Sequence, residues 1–249
     1  MRRLSVTTSA FVLLSFATAP AAVAQSPEFK DAAAIPVFSA GKVGAPLPPW
    51  EIVKVNDRKK LTAFDLVDDG GKVVLHAKSE AGASGIGVRT NIDLAKTPIL
   101  TWRWKVAGLI DGADNSVAGK EDSPARLSLT FDGDKSKLSF GDRTTMSLAS
   151  TAYGQDLPFA TLMYIWSSNV PVGTVIPNPH TKRIQMIVVS SGKGGVGQWQ
   201  SLRRNVREDY KKAFGEDPGP LKSLTAFTDA DNTGLSAEAW YGDMVLSAQ

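Results

Sequence analysis

Residues Leu100-Thr101-Trp102-Arg103-Trp104-Lys105-Val106 alternate apolar and polar side chains without a break. In an extended strand successive side chains point to opposite faces. Leu100, Trp102, Trp104 and Val106 therefore share one face, and Thr101, Arg103 and Lys105 share the other. Two indoles on one side and two cations on the other fit a strand lying between a core and open solvent. Such a strand needs a second layer to cover its indoles, which points to a two-sheet sandwich built around it.

Further strands are expected at 62–67, 73–78, 85–92, 125–131, 160–167, 183–190, 221–228 and 237–246. Asp68-Asp69-Gly70-Gly71 has the composition of a hairpin turn between the first two. The stretches 41–49, 107–123 and 171–179 read as loops, with Trp50 plugging one end of the sandwich. One helix is expected at 206–214. Val206, Tyr210 and Phe214 recur every four residues, Asn205 and Glu208 form a capping pattern, and Gly215 suits the stop. A second short helix is expected at 144–153. The fold expected is thus an all-β, antiparallel two-sheet β-sandwich with one or two short helices.

The opening residues read as an export signal. Arg2 and Arg3 precede an apolar run, and Ala22-Val23-Ala24 has the form of a cleavage site. The expected organisation is a signal peptide over 1–24, a flexible lead-in over 25–36 and a single sandwich domain over 37–249. A periplasmic or secreted location follows, with no membrane span after signal removal. The chain has no cysteine, so disulfides, thiolate zinc sites and thiol catalysis are excluded. Its formal charge of +3 includes the two leader arginines, so the mature part is close to neutral. Nothing draws it generally to nucleic acid.

Several groups suggest binding chemistry. Arg103, Lys105 and Arg126 alternate away from their apolar neighbours, and Asp122 lies just before the second of those strands. A sheet face of this kind would hold an anionic ligand such as a uronate-rich glycan. Tyr164 or Trp166 would supply stacking if its face of the strand is open; Trp199 and Trp240 fit either core or rim. Asp229-Ala230-Asp231-Asn232-Thr233-Gly234 could wrap a hard cation, giving Asp229 and Asp231 as ligands of a structural calcium. It could equally be an Asx-type turn, and Trp240 stands where a calcium hand needs Glu. Lys193-Gly194-Gly195-Val196-Gly197 lacks the Lys-Ser/Thr ending of a phosphate loop and reads as a turn. With His76 and His180 the only histidines, no His-based triad or multi-histidine centre is expected.

Trp102-Arg103-Trp104, Glu121-Asp122-Ser123-Pro124-Ala125-Arg126, Leu162-Met163-Tyr164-Ile165-Trp166, Arg204-Asn205-Val206-Arg207-Glu208-Asp209-Tyr210, Phe214-Gly215-Glu216, Thr228-Asp229-Ala230-Asp231-Asn232-Thr233-Gly234 and Tyr241-Gly242-Asp243 form a set. With them the chain resembles a family of exported bacterial proteins known only as a domain of unknown function. The resemblance implies a galactose-binding-like jelly roll, a sandwich that many carbohydrate-binding modules share. It implies no activity. The leading expectation is non-catalytic binding of a glycan or small polar ligand. The rivals are a polysaccharide hydrolase or lyase using Asp122, Asp229, Asp231 or His180, and an envelope protein that meets another protein through the same face.

Overall fold

Trp102 and Trp104 are buried, and Arg103 and Lys105 lie on the opposite, half-buried side of their strand. The computed structural model describes residues 34–46, 48–153, 157–178 and 181–248. The signal expected at 1–24, most of the lead-in and His180 lie outside them.

In chain order the first strands are β1 (Glu51–Lys54), β2 (Ala63–Asp68), β3 (Val73–Glu80), β4 (Ala83–Ile92), β5 (Ile99–Val106) and β6 (Ser123–Phe131). Helix α1 (Phe140–Tyr153) follows, then β7 (Ala160–Ser167), β8 (Val175–Pro177), β9 (Ile184–Ser191) and β10 (Gln200–Asn205). Helix α2 (Val206–Phe214) leads to β11 (Leu221–Asp229), β12 (Ser236–Tyr241) and β13 (Val245–Ser247). One sheet has seven strands in the order β1-β4-β11-β6-β7-β9-β8. The other has six, β10-β5-β12-β3-β2 with β13 paired to β5. The chain is a two-sheet β-sandwich of jelly-roll type.

Aromatic side chains hold the layers together. From β5, Trp102 stacks on Tyr164 of β7 with centroids 5.2 Å apart, and Trp104 lies 6.4 Å from Trp166. Polar tips find partners as burial requires. Trp104 Nε1 donates to Ser190 Oγ at 3.1 Å, and Tyr164 Oη donates to Asp209 of α2 at 2.8 Å. Asp209 also accepts from the Arg204 guanidinium, which fixes α2 against the sheet edge. The Asn205 side chain accepts from Glu208 N, and Gly215 ends α2 in the left-handed region at φ 75°.

Three short strands stand where loops or no element were expected. β1 and β10 are short strands at sheet edges. β8 lies inside the proline-rich stretch and pairs antiparallel with β9. It returns the chain, so β9 enters between β7 and β8 and runs parallel to β7, the one parallel pairing among the described strands. The closing segment 237–246 is two strands, because Gly242-Asp243-Met244 break it. Helix α1 begins at Phe140, four residues before the expected start.

Candidate functional site

The outer face of the six-stranded sheet carries a row of alternating cations and indoles. Lys105 of β5 lies opposite Trp240 of β12, and Trp240 lies opposite His76 of β3. Trp199 stands just before β10, on the other flank of β5. Arg103 Cζ sits 4.2 Å from the centroid of Trp199, and Lys105 Nζ lies 5.2 Å from Trp199 and 4.6 Å from Trp240. The His76 ring stacks on Trp240 at 5.0 Å, and its Nε2 is 2.7 Å from Glu238. On this half-buried face each cation–π contact contributes about 1 kcal/mol.

The tip of the β2–β3 hairpin comes over this face. Its turn uses Gly70 and Gly71 at positive φ, and Asp69 accepts from Lys105 Nζ at 2.8 Å and Trp199 Nε1 at 2.6 Å. Those two donors hold the Asp69 carboxyl below its ordinary range.

Beside the row opens a cleft of about 430 Å³, framed by the hairpin, β5, β10 and the Gly242 break. Arg103, Arg203 and Lys72 line it together with Ser201, Ser39 and Asp243. Asp243 accepts from Ser39 N at 2.9 Å and from Ser39 Oγ at 2.6 Å, which closes one rim. Arg203 and Lys72 are exposed and form no ion pair among the described residues, while Arg103 adds a longer-range attraction to the Asp69 carboxylate. The cleft is therefore cationic and rich in hydroxyls.

Gly242 sets the position of Arg103. A Cβ added at Gly242 would meet Arg103 Cγ at 2.6 Å and Nε at 2.8 Å. The arginine stem lies across bare backbone there, and Gly242 N donates to Arg103 O at 2.9 Å. Gly242→Ala is expected to push the guanidinium off the Trp199 ring. A shift of the Trp199 indole N–H resonance checks it, with an unchanged melting midpoint as control.

The expected site residues divide. Arg103 lies in the cleft. Lys105 lies beside it, but its charge is neutralised by Asp69 and its side chain is only 17% exposed. Arg126 does not join them, because β6 belongs to the other sheet. It is buried and bidentate with Asp229, at 2.9 Å from Nε and 2.8 Å from Nη2, and it also donates to Glu121 O. The alternation along β6 was right, but the outward side of that position is covered. Tyr164 and Trp166 are fully buried between the sheets and offer no open ring. Met163 and Ile165 take the other side, packed with Ile176, Met186 and Val188, so β7 is apolar on both faces.

Asp122, Asp229 and Asp231 do come together, with carboxylate oxygens within 4.8 Å of one another. Each already has partners from the chain. Asp122 is buried and accepts from Asn232 N at 3.2 Å and from Thr233 N and Oγ1, both at 2.7 Å. Asp231 pairs with Lys59, whose pKa that bond raises. Asp229 pairs with Arg126. Lys59 and Arg126 already answer two of the three carboxylates, so a calcium ion bound there would compete with both. The cluster instead clamps the turn by which the chain crosses from β11 to β12. Burial, aided by Asp122 and opposed by Arg126, pushes the Asp229 carboxyl up to about 7. As a ligand contact Asp122 is likewise unavailable, and none of the three can serve a polysaccharide as an open acid or base.

The sequence reading leaves Trp199 and Trp240 undecided and assigns Lys72, Arg203 and Asp243 no part in binding; Asp243 enters only in the Tyr241-Gly242-Asp243 piece of the resemblance. Trp240 alternates with the inward Ala239 and Tyr241, which was a usable signal for an outward ring. Nothing local marks Lys72 or Arg203, because the cleft is made by five separate segments.

The family model described as protein of unknown function (DUF3047) matches residues 48–245. The chain belongs to that family. No curated protein matches it. Among solved structures it is similar to a family 11 carbohydrate-binding module from Clostridium thermocellum, at 9% identity and TM-score 0.43, over 87% of this chain and 97% of that one. It is also similar to endoglucanase 3 of Trichoderma harzianum, family GH12, at 7% identity and TM-score 0.41, over 82% and 93%. The xyloglucanase domain of NopAA from Sinorhizobium fredii matches at 9% and TM-score 0.38, over 84% and 92%. Among the described residues no helix of this DUF3047 chain is long and apolar enough to cross a membrane.

Proposed function

We propose that the protein binds an anionic glycan, or a small polar anion of similar chemistry, in the cleft beside β5, without catalysis. The observation that carries this reading is the trio Arg103, Arg203 and Lys72, gathered in one cleft whose lining holds a single carboxylate, Asp243. An excess of cations over carboxylates favours an anion, and Arg adds planar bidentate recognition of carboxylate. Ser39, Ser201 and Thr101 line the same cleft and suit sugar hydroxyls. The volume lies in the ordinary range for small-molecule sites, about 300–1,000 Å³. Trp199 packs against Arg103 and steadies it, while cations and His76 cover faces of Trp199 and Trp240, neither of which lines the cleft. The leader sequence supports a periplasmic or secreted setting for this binding.

Tryptophan fluorescence titrated with trigalacturonate and with neutral cellotriose tests the reading. Trigalacturonate is expected to give a saturable change that weakens about tenfold or more in Arg103→Ala, the size of a lost charged hydrogen bond. High salt should weaken it too. No response to trigalacturonate, or an Arg103→Ala protein with full affinity, would overturn the reading.

A further inference from the structure

The opposite face of the molecule holds a second groove. It has a volume of about 660 Å³ and crosses five neighbouring strands of the seven-stranded sheet. The cross-strand register places Glu51, Gly87, Thr225, Ser128 and Met163 in one transverse row. Thr130 and Ser223 follow alongside, their hydroxyls 2.6 Å apart. With strands about 4.8 Å apart, the row spans about 19 Å.

The floor is kept low by glycine. A Cβ at Gly87 would meet Thr225 Oγ1 at 2.4 Å, and one at Gly85 would meet the Phe227 ring at 2.7 Å. Phe227 is half-buried and lines the groove, its ring lying over the bare backbone of Gly85. The charges here are balanced, unlike those of the cationic cleft. Arg126 is bound to Asp229, Lys54 to Asp57 at 3.1 Å, and Glu51 and Arg89 are of opposite sign.

We infer that this groove is a second binding site, for an extended, uncharged, polyhydroxylated chain such as a neutral oligosaccharide. The hydroxyl floor supplies donors and acceptors along its length, and Phe227 and Met163 supply apolar contact for ring C–H faces. Charge balance disfavours an ionic ligand. The inference is independent of the anionic site, because the two faces share no lining residue.

Calorimetry with cellohexaose, xylohexaose and mannohexaose tests it. At least one is expected to bind at millimolar concentration or tighter, with affinity unchanged in high salt. Phe227→Ala and Ser128→Leu should each weaken that binding about tenfold while the melting midpoint holds. Should Ser128→Leu fail to fold, Phe227→Ala decides. No tryptophan lines the groove, so the indole N–H resonances of Trp199 and Trp240 should stay in place on binding. Failure of all three sugars to bind, full affinity in the folded variants, or movement of those two resonances would each overturn the second site. A failed response to trigalacturonate would leave it standing.

Discussion

Replacing Arg126 by Leu is expected to destabilise the fold by about 3–5 kcal/mol at pH 8, the cost of leaving a buried charge without its partner. Asp229 would then lie buried beside Asp122 with no guanidinium to answer it. The penalty should depend on pH in a definite direction. The Asp229 carboxyl is pushed up to about 7 in the folded chain, above its unfolded value. A raised carboxyl stabilises the fold on the acid side, and that contribution fades as pH rises through about 7. Losing Arg126 removes the main force that lowers this pKa, so protonation at pH 5 relieves more of the damage. Urea unfolding at the two pH values should show the smaller loss at pH 5. The double substitution Arg126→Leu with Asp229→Leu should recover part of the stability. A loss below about 1 kcal/mol, or one equal at both pH values, would contradict the buried pairing.

Trp104→Ala should cost about 3–5 kcal/mol, in the range for emptying a large aromatic site in a packed core. Trp104 has no exposed surface, lies edge-on to Trp102 at 5.6 Å, faces Trp166, and donates to Ser190. Its removal opens the contact between the two sheets and orphans a buried hydroxyl network, because Ser190 Oγ also donates to Gln200 at 2.6 Å. Trp240→Ala, on the outer face, should cost far less. Chemical denaturation of the two variants under one condition checks the difference, and equal losses would contradict the assignment of faces.

The alternation in 100–106 was enough to read which side of β5 is core, since two indoles need cover that solvent cannot give. Helix α2 was legible for a similar reason. Its cap, its four-residue repeat and its terminal glycine all agree, and the structure starts and stops it at Val206 and Phe214. What the sequence could not show was which strands share a sheet. Arg103 and Arg126 look equivalent in their local patterns, yet pairing puts them on opposite faces of the sandwich. For Tyr164 and Trp166 the pattern was ambiguous because β7 is buried on both sides. Lys72 and Arg203 were illegible in principle, being brought together only by the hairpin folding over the sheet. The acidic turn was read as either a metal loop or an Asx turn. Its partners Lys59 and Arg126 come from far along the chain, so only the fold could supply them.

The chain has six tryptophans, and their indole N–H resonances report separately on core and outer face. Titration with trigalacturonate, followed by two-dimensional NMR, tests the anionic cleft most directly. The resonances of Trp102, which lines the cleft, and of Trp199, which packs on Arg103, should move in a saturable way while those of Trp104 and Trp166 stay fixed. Movement confined to Trp104 and Trp166, or no movement at saturating ligand, would contradict it.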